Sequence, residues 1–105
     1  MFTFIELYGF ARRRAALMHD DEFRCLQEEL INDPETGDTI SDTGGFRKMR
    51  WSRTGMGKRG GLRIIYYNLT RKGRLYLALI YPKNEQDDLT PEQKKQLRQL
   101  ADMLI

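Results

Sequence analysis

The 105-residue sequence predicts an α+β domain with element order β-α-α-β-β-β-α. A small antiparallel sheet would carry two N-terminal helices on one face, followed by a C-terminal helix. Three observations predict it. Helical apolar spacing occupies both ends of the chain, three consecutive β-rich runs fill the middle, and charge is segregated along the same lines. From Phe46 to Lys83 there are eleven Lys and Arg and no Asp, Glu or His. Residues 1–45 carry four basic and ten acidic residues, and residues 84–105 carry three and five. A net charge of +3 thus hides a cationic centre between acidic flanks, a pattern that points to a polyanionic partner.

Met1–Ile5 alternates and reads as an edge strand. From about Glu6, Leu7, Ala11, Ala15 and Met18 recur at spacings of four, four and three, which predicts one buried helical face. Arg12-Arg13-Arg14 on that helix reads as a solvated face, the alternative being a supplementary phosphate contact. His19 falls in the turn that follows and reads as a turn residue rather than a catalyst. Asp20 or Asp21 is positioned to cap a second helix. Phe23, Leu26, Leu30 and Ile31 form its stripe, Cys25 reads as a buried or half-buried structural thiol, and Asn32-Asp33-Pro34 stops it. So short a link predicts a helical hairpin.

Glu35–Gly45 reads as a polar loop. Phe46–Ser52 alternates, with Lys48 and Arg50 on one face and Met49 and Trp51 on the other. A glycine-rich connection holds Lys58 and Arg59. Leu62–Leu69 is strongly β, Thr70–Gly73 is a turn with Gly73 suited to positive φ, and Arg74–Tyr81 is apolar enough for an interior strand. Thr90-Pro91-Glu92-Gln93 is a capping box, and Leu97, Leu100, Ala101 and Leu104 form the stripe of the last helix.

Length fits one domain spanning residues 1–105. One cysteine allows no internal disulfide, which fits a cytoplasmic protein. No charged leader opens the chain, and no apolar run approaches the roughly 20 residues of a membrane span. Asn68-Leu69-Thr70 matches a glycosylation sequon but falls inside a strand.

The glycines at 55–61 lack the spacing of a phosphate-binding loop and precede a strand, not a helix. No His/Cys cluster for zinc and no acid-supported Ser-His or Cys-His pair is present, and no cofactor is implied. What remains is cations with tyrosines on a sheet. Guanidinium groups match phosphate oxygens bidentately, and clustered positive charge stabilises a phosphorane-like transition state. With RNA, the substrate's own 2′-hydroxyl can be the nucleophile. Composition by itself favours the plainer alternative, a non-catalytic RNA- or DNA-binding surface, because phosphate binding needs only charge.

Three segments carry a resemblance: Gly44-Gly45-Phe46-Arg47-Lys48-Met49-Arg50, then Gly55-Met56-Gly57-Lys58-Arg59-Gly60-Gly61-Leu62-Arg63-Ile64-Ile65-Tyr66-Tyr67, then Leu79-Ile80-Tyr81-Pro82-Lys83-Asn84-Glu85. In these the chain resembles the HigB branch of the RelE superfamily of toxins. The resemblance implies a metal-independent endoribonuclease that enters the ribosomal A site and cuts mRNA by 2′-hydroxyl attack, leaving a 2′,3′-cyclic phosphate. It also implies a cognate antitoxin with a helix-turn-helix domain, and contact with operator DNA only through the toxin–antitoxin complex. Carried across by position, Arg63 contacts the phosphate and the transition state. Lys48 and Arg50 are strand cations of the catalytic group, Lys83 is an acid or base, and Tyr81 stacks or transfers a proton. Lys58, Arg59, Arg47, Arg53 and Asn84 fall to RNA or ribosome binding. Asn84 stands where some relatives have arginine, and Pro82 where glycine or alanine is usual.

Overall fold

The computed structural model describes residues 2–52 and 61–104. Its elements are β1 (Thr3–Glu6), α1 (Tyr8–Leu17), α2 (Asp20–Asn32), β2 (Asp38–Thr39), β3 (Arg47–Trp51), β4 (Leu62–Leu69), β5 (Arg74–Pro82) and α3 (Pro91–Leu104). The strands form one sheet in the order β1-β5-β4-β3-β2. The predicted element order is present, with β2 as an addition.

The sheet is mixed, not wholly antiparallel. β2 to β5 pair antiparallel, but β1 runs parallel to β5, with Thr3 opposite Arg74 and Glu6 opposite Leu77. No turn joins β1 to a neighbouring strand, so nothing local in its sequence sets its direction. The parallel placement lets Leu7 N–H bond Leu77 O at 2.8 Å as the chain turns into α1. β2 lies in the stretch expected to be loop. Its two residues pair with Lys48 and Arg47 and are too few to show a period.

Alternation on β3, β4 and β5 splits the core in two. Phe10, Met18, Phe23, Leu26 and Leu30 from the N-terminal helices pack with Met49, Leu62, Ile64, Tyr66, Leu75, Leu77 and Ile80 on one face. Leu89, Leu97 and Ala101 pack with Phe46, Ile65, Tyr67, Tyr76, Ala78 and Tyr81 on the other. Both faces are therefore covered, and β5 is interior as its apolar run predicts. A bulge between Ile65 and Tyr66 turns both Ala78 and Leu79 toward the α3 face, which keeps the register around it correct.

The helices correct several expectations. In α1 the buried residue is Phe10, with Met18 just beyond the helix, while Ala11 and Ala15 are exposed. Two alanines offer little area to bury, so the large ring sets the inward face. In α2, Phe23, Leu26 and Leu30 are buried, but Ile31 is 46% exposed and Cys25 is exposed. A helix presents only one stripe of about 100° to a sheet, and both residues fall outside it. His19 is the N-cap residue, in the turn as expected. Asp20 starts the helix instead of capping it and bonds Arg14 at 2.7 Å. Arg14 also lies 4.6 Å from the Phe23 ring centroid, so this arginine fastens α1 to α2. Arg13 makes a bidentate pair with Glu85 at 2.7 and 2.8 Å, which ties α1 to the connection after β5. Those two arginines are structural, not merely solvated.

Other local signals behave as expected. Gly73 closes the β4–β5 turn at φ +65°, where a Cβ would be strained. At α3, Gln93 N–H donates to Thr90 Oγ1 at 3.1 Å and Thr90 N–H donates to Gln93 Oε1 at 3.0 Å, a complete capping box. Replacing Phe10 by Ala is expected to lower unfolding free energy by about 3–5 kcal/mol. Ala11→Ser and Ala15→Ser are expected to change it by no more than about 0.5 kcal/mol. Urea titration of the three variants checks which face of α1 is buried.

Candidate active site

Strand register assembles the site. Arg50 on β3 is opposite Arg63 on β4, and Arg63 is opposite Tyr81 on β5, so the three form one row across the sheet. One row on, Lys48, Ile65 and Leu79 are aligned in the same way. Ile65 and Tyr81 belong to the cluster under α3, which places the cations Lys48, Arg50 and Arg63 on that face. The face is not wholly open, as a sheet backed only by the N-terminal helices would be. α3 covers its middle, and the cations emerge at its end. β2 is paired only with Arg47 and Lys48, so beyond them β3 has no outer strand among the described residues.

A cavity of about 530 Å³ opens there, lined by Glu29, Thr36, Asp38, Lys48, Met49, Arg50, Arg63 and Asp87. Arg63 is 7% exposed, yet no carboxylate among the described residues pairs with it. Among the described residues its Nη1 reaches only Leu62 O, at a long 3.5 Å. Its cross-strand neighbour is another arginine. Like charges placed opposite each other are destabilising in a sheet, and a bound anion would relieve this pair. A buried guanidinium without an ion partner is costly, so the arrangement is suited to a ligand that brings negative charge.

The sequence reading finds no carboxylate within the basic segment, but the fold brings several to it from elsewhere. Glu29, Asp38 and Asp87 line the cavity, and Asp88 Oδ1 lies 3.8 Å from Lys48 Nζ. All four acids are exposed, so water and salt screen them, while Arg63 is shielded from both. At its exposure the Lys48–Asp88 pair contributes about 0–1 kcal/mol. The only sign of these acids in the sequence is the doublet Asp87-Asp88 just ahead of the capping box. Among the described residues no group of three or more His, Cys, Asp or Glu is placed to hold a metal ion. No helix is long and apolar enough to cross a membrane, again among the described residues.

Tyr81 is 2% exposed, and its hydroxyl is buried without a hydrogen-bond partner among the described residues. Burial pushes its pKa up, the Asp88 charge adds to that, and Arg63 opposes it. The phenol is neutral at physiological pH, as an ordinary tyrosine is, and its burial makes it give up its proton less readily. Its ring is packed in the core beside Leu89 and is not presented for stacking.

The remaining predicted residues separate. Lys83 is exposed just after β5, its N–H bonding Gly61 O at 3.0 Å, and Asn84 is in the exposed turn that follows. Neither lines the cavity. Arg47 points to the opposite face, where it donates to Gly37 O at 2.7 Å and lies 3.8 Å from Glu35. There it works with Tyr66, whose hydroxyl accepts from Gly37 N–H at 2.9 Å and donates to Pro34 O at 3.0 Å. The two fix the loop that carries β2. Arg53, Lys58 and Arg59 lie outside the described residues.

The described residues thus form an α+β domain with a mixed five-stranded sheet, across which Arg50, Arg63 and the buried Tyr81 stand in one row. Residues 10–105 match the family model of the RelE toxin of the RelE/RelB toxin–antitoxin system, and the chain belongs to that family. It is thus the toxin component of a toxin–antitoxin pair, from a family whose members are generally endoribonucleases that inhibit translation.

Because Tyr81 ionises less readily folded than unfolded, its contribution to stability is complete below about pH 10 and falls as pH rises through the folded value. Ultraviolet difference titration of wild type against Tyr81→Phe is expected to show one phenol ionising above pH 10. Asp88→Asn is expected to move that transition downward, because it removes a negative charge.

Proposed function

We propose that the protein is a ribosome-dependent mRNA endoribonuclease of the HigB-like branch, acting in the cytoplasm without a metal. The observation that carries this reading is the buried Arg63, which has no ion partner among the described residues and stands between Arg50 and Tyr81 in one cross-strand row. In the reaction the 2′-oxygen of the RNA attacks the adjacent phosphorus. The P–O5′ bond breaks, a 2′,3′-cyclic phosphate forms, and the leaving 5′-oxygen takes up a proton. The nucleophile belongs to the substrate, so the protein has to hold the phosphate, stabilise its charge and move two protons.

Arg63 and Arg50 hold the non-bridging oxygens; Arg63, shielded from water, acts more strongly on developing charge than the exposed Arg50. Lys48, half-buried on the next row, adds charge at the same phosphate and is close enough to serve a proton transfer. Tyr81, cross-strand from Arg63, is the proton donor toward the leaving oxygen, a role that requires the substrate to reach its buried hydroxyl, and Lys83, exposed after β5 and outside the cavity lining, is the other acid or base. Lys58, Arg59, Arg53 and Asn84 contribute binding to RNA or ribosome backbone, whereas Arg47 is occupied in fixing the β2 loop. The ribosome supplies substrate alignment that so small a cavity does not. A helix-turn-helix antitoxin silences the toxin, and operator DNA is contacted only through their complex.

Arg63→Gln is expected to reduce cleavage of mRNA on purified ribosomes by about 10²–10³-fold while leaving the fold intact. Mapping of mRNA 5′ ends after induction in cells should show cuts inside translated codons, absent in the variant and unaffected by chelator in the purified reaction. Growth arrest with intact mRNA would instead mean inhibition by occupancy. Harmless overexpression would favour a non-catalytic nucleic-acid-binding module.

A further inference from the structure

Beside the site lies a second groove of about 390 Å³, lined by Asp42, Leu89, Pro91, Lys94, Lys95 and Arg98. Lys94 and Arg98 are four residues apart and so share a helical face, with Lys95 next to them. None of the three forms an ion pair among the described residues. The two concavities adjoin through consecutive residues: Asp88 pairs with Lys48 of the first, and Leu89 lines the second.

The wall opposite α3 is rigidly built. Thr43 is fully buried, and its hydroxyl donates to Ile40 O at 2.7 Å. Gly44, at φ +75°, packs so closely on α3 that an added Cβ would sit 2.8 Å from Ala101 Cβ. This places Asp42 across the groove from three cations. A ribonucleotide matches that pattern, since its phosphate is an anion and its 2′-hydroxyl is a donor for a carboxylate. Leu89 and Pro91 offer apolar surface to the sugar, and the volume falls within the roughly 300–1,000 Å³ usual for ligand sites.

We propose that this groove is a subsite for a nucleotide flanking the cleaved one on the same RNA strand. Lys94, Lys95 and Arg98 would hold its phosphate and Asp42 its 2′-hydroxyl. The proposal rests on the endoribonuclease reading, and it commits to the substrate strand because Asp88, paired with Lys48 of the site, is the direct neighbour of Leu89 in the groove.

The test measures binding of a single-stranded decaribonucleotide, by fluorescence anisotropy between 50 and 200 mM salt. An Arg63→Gln background keeps the RNA intact. Adding Lys94→Gln, Lys95→Gln and Arg98→Gln together is expected to make the slope of log K against log salt shallower by about 2, at roughly 0.7 per lost contact. Affinity at low salt should fall about tenfold or more. These side chains lie outside the buried stripe of α3, so thermal unfolding should be unchanged. Asp42→Asn should narrow the preference for the ribo- over the deoxyribo-oligonucleotide. An unchanged slope overturns the proposal, as does a loss seen only with whole ribosomes, which would assign the patch to ribosomal RNA. Unaltered RNA binding with lost inhibition by the antitoxin also overturns it and makes the groove a protein surface. Cleavage of mRNA on ribosomes by the wild type is scored separately: no cleavage with a flattened slope rejects the enzyme reading alone, whereas cleavage with an unchanged slope rejects the subsite alone.

Discussion

Arg50, Arg63 and Tyr81 share a row only because β3 and β5 both pair with β4 in a fixed antiparallel register. A slip of one residue would send Arg63 into the layer of Phe10 and Leu26 and turn Ile64 toward the cations. The apolar alternation that fills two cores is therefore the same constraint that sets the site. Ile64 and Tyr66 anchor one face, and Ile65 and Tyr67 the other. With both faces committed, Arg63 has nowhere to turn. The bulge at Ile65/Tyr66 absorbs the mismatch with β5 without disturbing the Arg63–Tyr81 pairing.

Around that row the structure divides labour among its charges. Arg13, Arg14 and Arg47 are engaged with Glu85, Asp20 and the Glu35–Gly37 loop, and they hold elements together. Arg63 has no such engagement among the described residues, although it is the most buried of these cations. The contrast separates structural arginines from one held ready for a ligand, and charge counting along the chain does not reveal it. Acidic residues follow the same division. Asp20 and Glu85 are held below the usual carboxylate range by their arginines, whereas Asp38, Asp87 and Asp88 ring the site and remain exposed.

The placement of α3 has a functional consequence. It closes the middle of the sheet face over Tyr67, Tyr76 and Ala78, and so confines access to the end where β2 stops. Among the described residues, that end is bordered by Asp88, which pairs with Lys48, and by the neighbouring Leu89. This is why the loop before α3 matters beyond its capping box: its backbone carries the helix, and its side chains border the site.

Much of this was legible in the residues themselves. The strand assignments, the two faces of β3, the capping box and the Gly73 turn follow from local periodicity and turn chemistry, which act over a few residues, whereas the expected sheet-face set of Lys48, Arg50, Arg63 and Lys83 depends on register, and Lys83 does not line the cavity. The inward face of α1, the exposure of Cys25 and Ile31, the direction of β1 and the existence of β2 do not, because each depends on a partner distant in the chain. Nor did the sequence show that Arg47 is tied to the Glu35–Gly37 loop, or bring Asp87 and Asp88 to a segment that has no acid of its own. By itself, then, the sequence determined which segments form strands and helices and which strand residues share a face, since backbone geometry imposes periods of 2 and 3.6 on any chain. Only the tertiary structure decided which cation is buried without an ion partner among the described residues and which acids surround it, because burial and pairing are properties of packed neighbours and not of spacing.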